Sequence, residues 1–222
     1  LRLRSDFEED YILKYIGATE KKLKTTPAPA RQILHSMLAD LYWQYYQQNR
    51  YRVLDQTVVS GSISDDIATW DAKKLVDKVS SNYLESLDDA KLLQSVSLKM
   101  YDPILQVAEG SRKFRPTLFD FLAHRAADFF MNEEASITKP INPFVMKDLS
   151  MLSKPDEFAR LKITTPDSLS FHFNALNLLA QLEKFHLSDK EPDALVDATL
   201  KRLEFVHDKI NQPDKDSVYL ST

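Results

Sequence analysis

One long amphipathic stretch constrains the fold of this chain more than any other feature. Residues 31–52, RQILHSMLADLYWQYYQQNRYR, place apolar side chains at Leu34, Met37, Leu38, Leu41, Tyr42, Tyr45 and Tyr46. That is the i, i+3, i+4, i+7 rhythm of one helix face. The opposite face reads Gln32, Ser36, Asp40, Gln44 and Gln47, all polar. At about 1.5 Å per residue such a helix runs roughly 30 Å, the width of a small domain. A stripe of that length needs apolar partners along it, so other helices must lie beside it. The expectation is a packed, all-α body.

Composition narrows the alternatives. Only three of 222 residues are glycine, whereas phosphate-binding loops and tight hairpin turns both consume glycine. Nucleotide-binding folds and antiparallel β-sandwiches therefore lose ground. A net charge of −4 and a pI near 5.8 argue against a nucleic-acid partner, because phosphate neutralisation needs clustered Lys and Arg. The chain has no cysteine, which excludes disulfides, thiolate metal sites and cysteine nucleophiles and leaves the compartment open. No run approaches the roughly 18 consecutive apolar residues of a membrane-spanning helix, so no transmembrane segment is expected. The chain opens on Leu1 without a methionine and is read as a piece of a longer protein.

Helical spacing recurs along the chain. Residues 6–24 carry Phe7, Tyr11, Tyr15 and Leu23 on one side, with Ser5 and Glu8 placed as a capping box. The TTPAPA run ends this helix, because proline disfavours helical geometry in the residue before it. Residues 53–64, VLDQTVVSGSIS, are β-branched and read as a short extended linker. Helices are expected over 66–87, 89–100 and 115–131, the last with Pro116 in its first turn. Leu118, Phe119, Leu122, Ala123, Ala126, Phe129 and Phe130 cover so much of that helix that it should be central. Prolines 140, 143, 155 and 166 punctuate the following stretch. Two further helices follow. The first spans 166–186, with Leu169, Phe173, Leu176 and Ala180; the second spans 192–211, with Val196, Leu200, Leu203, Val206 and Ile210. A third opens near 213–217. The predicted organisation is an antiparallel bundle over 1–135 and an irregular connection over 136–165. A hairpin over 166–222 would begin a helical-repeat array, tetratricopeptide-like at most.

Four constellations invite a chemical reading. Asp120, His124 and Asp128 lie at i, i+4 and i+8 on one helix face, a pattern that can hold a divalent metal. Catalytic metals gather ligands from several elements, however, and Arg125 offers an ion-pair partner, so a polar helix edge is the favoured reading. His207–Asp208 resembles the dyad of helical metal phosphohydrolases. Drafting His124 or His172 with Asp214 or Asp216 gives no convincing spacing. The pairs Asp65–Asp66 and Asp88–Asp89 lack the third aspartate of a magnesium-binding DDxxD motif, since Thr69 and Leu92 stand there. Helix capping explains them. The aromatic cluster Tyr42, Trp43, Tyr45, Tyr46 and Tyr51 is read chiefly as interhelical packing. Tyr42, Trp43, Tyr46 and Tyr51 are nevertheless the residues a partner would meet if the cluster lines an interface. No serine occupies a GxSxG elbow. No catalytic, cofactor-binding or metal-ligating residue is assigned.

The string ILHSMLADLYWQYYQQNRYR, the linker after it, DIATWDAKKLVDKV and RPTLFDFLAHRAADFF together resemble the N-terminal helical region of bacterial alpha-2-macroglobulin family proteins. The resemblance runs from about residue 27 to the end, on diffuse helical patterns. It implies a large protease-trapping protein in which a helical segment precedes a string of β-sandwich domains. Cleavage of a bait segment closes such proteins on the protease, in some cases with a thioester that requires cysteine. The trapping chemistry would then lie downstream. This part would be a non-catalytic scaffold, a spacer or a docking region, in the periplasm or at the outer membrane. Its partners would be the downstream domains and proteases or other proteins. The alternatives are a free-standing helical adaptor that binds a peptide and a helical metal-dependent hydrolase built on His124 and His207–Asp208.

Overall fold

The computed structural model describes residues 11–55, 66–135, 144–167 and 170–222. The protein is all-α, as expected. Among the described residues the only β-pairing is an isolated bridge between Ser97 and Thr117. The chain divides into two compact units, Leu1–Asp88 and Asp89–Thr222. The proposed Ser5–Glu8 capping box lies outside the described residues.

In the first unit, helices α1 (Tyr11–Leu23), α2 (Ala30–Gln48), α3 (Arg50–Asp55) and α4 (Ala72–Glu85) pack around α2. Helix α1 ends where the Thr25 and Thr26 hydroxyls donate to the Lys22 carbonyl. Helix α2 packs against both α1 and α4. That double contact corrects the face assignment drawn from periodicity. Gln32 and Ser36 are buried together with Leu38, Ala39, Leu41, Tyr42, Tyr45 and Tyr46, while Met37 is 40% exposed. A helix covered on two sides has no single wet face, so its pattern does not resolve into one stripe. Gln32 tolerates burial because its Nε2 donates to the Asp88 carbonyl at 3.2 Å. The expected extended linker also begins too early: 53–55 close the short helix α3, with Val53 buried, and 56–65 lie outside the described residues. Asp71 caps α4 by accepting from the Lys74 N–H at 2.7 Å.

The second unit begins at α5 (Ala90–Ser95), whose N-cap Asp89 adopts a left-handed φ of 59° and accepts from the Leu92 N–H. A 3-10 turn (Leu98–Ile104), α6 (Ser111–Phe114) and α7 (Leu118–Met131) follow. Helix α7 starts later than Pro116. Thr117 caps it, and the Asp120 side chain reaches back to the Thr117 N–H in a complete capping box. Its central position is as expected, with Phe119, Leu122, Ala123, Ala126 and Phe130 all fully buried. Beyond it come a 3-10 turn (Leu149–Leu152), α8 (Pro155–Phe158), α9 (Phe171–His186), α10 (Asp193–Lys209) and α11 (Lys215–Ser221).

Helix α9 packs against both α7 and α10. The stretch 144–165, expected to separate domains, is integral to this unit: Met146, Met151, Leu152 and Phe158 are buried in it. The boundary between compact units lies instead at Asp88–Asp89. In α10 Leu203 and Val206 of the predicted stripe are buried, as is Ile210 just after the helix, together with Ala194, Ala198, Arg202 and Phe205, whereas Val196 and Leu200 are 47% and 51% exposed.

Candidate functional site

In the first unit the four aromatic residues proposed as a partner surface are divided between core and solvent. Tyr42 and Tyr46 are buried, which removes them from any surface. The Tyr42 ring stacks on Trp70 at 5.8 Å, and its hydroxyl donates to Glu20 Oε1 at 2.7 Å. Burial, then the hydrogen bond and charge of Glu20, push the Tyr42 hydroxyl far above the usual phenol range. Trp43 is half-buried and stacked on Tyr46 at 5.0 Å. Tyr51 alone stands in solvent, 88% exposed. The packing of α2 on two sides is the reason: positions 42 and 46 face a neighbouring helix. Tyr83 repeats the Tyr42 device by donating to Asp40 at 2.7 Å.

The Asp120, His124, Asp128 pattern occupies the second unit and does not converge on one point. Asp120 is buried beneath α9 and accepts from His186 Nε2 at 2.7 Å, while the other ring nitrogen, Nδ1, donates to Asp189 at 2.6 Å. A ring that donates from both nitrogens is an imidazolium. Burial opposes that charge, but the hydrogen bonds and negative charge of Asp120 and Asp189 outweigh it and raise the His186 pKa above its ordinary value. Asp120 is therefore part of a carboxylate–imidazolium–carboxylate chain. The chain ties the start of α7 to the end of α9 and the turn after it.

His124 is the electrostatic opposite. Its Nδ1 accepts from Lys201 Nζ at 3.4 Å, and Nε2 lies 3.5 Å from Asp197 Oδ2, beside which Arg115 Nε also stands at 3.5 Å. Burial first, then the charges of Arg115, Lys201 and His186, lower its pKa to about 2. The ring is neutral, with its proton on Nε2, so the contact with Asp197 is not an ion pair. Asp128 points outward and meets Lys201 at 2.5 Å. Asp120, His124 and Asp128 thus serve three different local structures.

The strongest polar constellation was invisible as a motif. Arg202 on α10 is fully buried. Its Nε donates to Glu183 Oε1 at 2.7 Å, Nη1 to the Met151 carbonyl at 2.6 Å and Nη2 to the Ser153 carbonyl at 2.8 Å. The guanidinium also lies over the Phe158 ring at 4.1 Å. Burial pushes Glu183 up and Arg202 down, each opposed by the other's charge. With a partner at hydrogen-bond distance, and arginine's affinity for its proton so high, the pair stays ionic. The available signal was register: Arg202 continues the series Ala194, Ala198 at four-residue steps, on the face that packs inward.

The remaining candidates are dispersed. His207 Nε2 bonds Asp216 at 2.7 Å and its ring meets Tyr219, whereas Asp208 is 79% exposed. His172 packs on Phe205, and burial, then the charge of Lys209, lowers its pKa. Asp66 accepts from the Ala68 N–H and Asp89 from the Leu92 N–H, as capping predicted; Asp65 lies outside the described residues. Among the described residues, no three His, Asp or Glu side chains are grouped as metal ligands, and no helix is long and apolar enough to cross a membrane. Compared with protein-family models, curated proteins and solved structures, the chain matches none.

Proposed function

We propose that this chain is a non-catalytic helical scaffold or docking region of a large bacterial protein similar to the protease-trapping alpha-2-macroglobulins. In this reading it resides in the periplasm or at the outer membrane, and its hairpin α9–α10 with α11 opens a repeat-like array. The observation that supports this role is the use made of the chemically capable side chains. Asp120, His186, Asp189, Glu183 and Arg202 hold helix ends and loop carbonyls in place. Groups locked into such bonds are poor acids, bases or ligands for a substrate, because any reaction would first break the fold's own contacts. The resemblance from about residue 27 to the end is what suggests this parent protein.

The test is the reading frame beyond Thr222, followed by an inhibition assay. The expected frame encodes a long series of β-sandwich domains, and the isolated chain leaves a panel of endopeptidases uninhibited. A frame without β-rich sequence sinks the proposal, as does stoichiometric protease inhibition or metal-dependent hydrolysis by the isolated chain.

A further inference from the structure

The second unit carries a groove of about 410 Å³ lined by two segments without regular secondary structure, 144–147 and 161–166. That volume lies within the range of ligand sites. Along 161–166 exposure alternates: Leu161, Ile163 and Thr165 turn inward, and Lys162, Thr164 and Pro166 turn to solvent. Phe144 and Met146 turn inward in the same manner, with Val145 and Lys147 outward. Alternation with a period of two is the signature of a strand, and Ile163, Thr164 and Thr165 are β-branched residues suited to one.

Neither segment has a strand partner among the described residues. Among the described residues the main-chain N–H and C=O groups of 162–164 make no hydrogen bond to protein, and of 144–147 only the Lys147 carbonyl is engaged, by Gln212. A row of unpaired main-chain groups is a template for an added strand. Charge then selects the strand. Lys147 and Lys162 border the groove with no carboxylate within salt-bridge distance among the described residues. The nearby Asp148 is already engaged, capping the Ser150 N–H at 2.9 Å.

We propose that this groove binds an extended peptide segment of another protein by strand addition, with apolar side chains seated at alternate positions and acidic ones between them facing Lys147 and Lys162. Main-chain pairing supplies the affinity, and the two lysines discriminate against basic sequences. The proposal stands independently of the protease-trapping reading, since it depends only on these two segments.

Fluorescence anisotropy of the full 222-residue chain with a labelled (Glu-Val)4 peptide tests it, with (Lys-Val)4 and a backbone N-methylated (Glu-Val)4 as comparisons. The expected result is saturable binding of (Glu-Val)4, weakened at least tenfold by N-methylation and at least tenfold in the exposed double variant Lys147→Glu/Lys162→Glu. That variant, with an unchanged circular dichroism spectrum, should prefer (Lys-Val)4. Failure of (Glu-Val)4 to bind overturns the proposal. So does equal binding of the two peptides, or binding indifferent to N-methylation.

Discussion

The two units solve the same problem with different chemistry. In the first, polar contacts sit at the ends of aromatic side chains. Tyr42 and Tyr83 keep their rings in the helix interface and extend hydroxyls to Glu20 and Asp40. In the second, full charges are taken inside: Glu183, Arg202, Asp120 and His186 are all buried. The difference follows from what each must hold. Helices α1, α2 and α4 carry their own hydrogen bonds and need only a greasy interface. The second unit must also fix the stretch 144–165, which holds only two short helical turns, and the buried guanidinium binds its Met151 and Ser153 carbonyls at once.

The sharpest way to break this contrast is to remove the guanidinium. Arg202→Met leaves Glu183 buried and alone, and should destabilise the second unit by about 3–5 kcal/mol in urea unfolding. Adding Glu183→Met should recover only part of this loss, because the Met151 and Ser153 carbonyls remain without donors. Full recovery would show that loop anchoring is not the function of the pair.

Acidity should distinguish the two buried histidines of the second unit, because their signs are opposite. The folded pKa of His124, about 2, is far below its ordinary 6.5. Below about pH 6.5 the unfolded chain takes up a proton that the folded ring refuses, so this contribution to stability is lost as pH falls toward 2. The span amounts to several kcal/mol. His124→Gln should flatten the acid limb of stability against pH. For His186 the folded pKa is raised, so its contribution is complete below about 6.5 and is lost as pH rises through the folded value. An NMR titration in which the His186 ring stays protonated above pH 6.5 while His124 stays neutral at pH 5 checks both signs.

In the first unit the effects should be smaller. Tyr42→Phe preserves the ring stack on Trp70 and removes only the bond to Glu20, for a loss of about 1–2 kcal/mol by the same unfolding measurement. A loss rivalling that of Arg202→Met would erase the distinction between the units. Smallest of all should be Lys73→Ala. It deletes an i,i+4 pair with Asp77 whose side chains are both more than half exposed, worth about 0.3–0.5 kcal/mol.

Helix existence was legible in the sequence from apolar spacing, even for α2 and α7, each of which packs against two other helices. The core of α7 was read from Leu118 to Phe130 with little error, and the pairs Asp65–Asp66 and Asp88–Asp89 were read as capping residues from their place at expected helix starts, which Asp66 and Asp89 are. Faces were misread where a helix is covered on two sides, as at Gln32 and Ser36, and in the first half of α10, where Ala194 and Ala198 are buried and Val196 and Leu200 exposed. Proline and irregular pattern in 136–165 suggested a boundary, because a loop tethered by side chains far away in sequence looks like a linker. The polar network escaped for the same reason. Glu183 and Arg202 are nineteen positions apart, and nothing local announces that they meet. Of the four residues offered as a contact surface, Tyr51 is the one left fully open to solvent.

The grip of Arg202 on residues 151 and 153 has one more consequence. It holds peptide oxygens, which every amino acid carries, so this anchorage is blind to side-chain identity at those positions. Mutational drift could rewrite the solvent-facing residues beside the anchor, such as Lys154, Asp156 and Glu157, altering the charge of that surface while the fastening beneath it stayed the same.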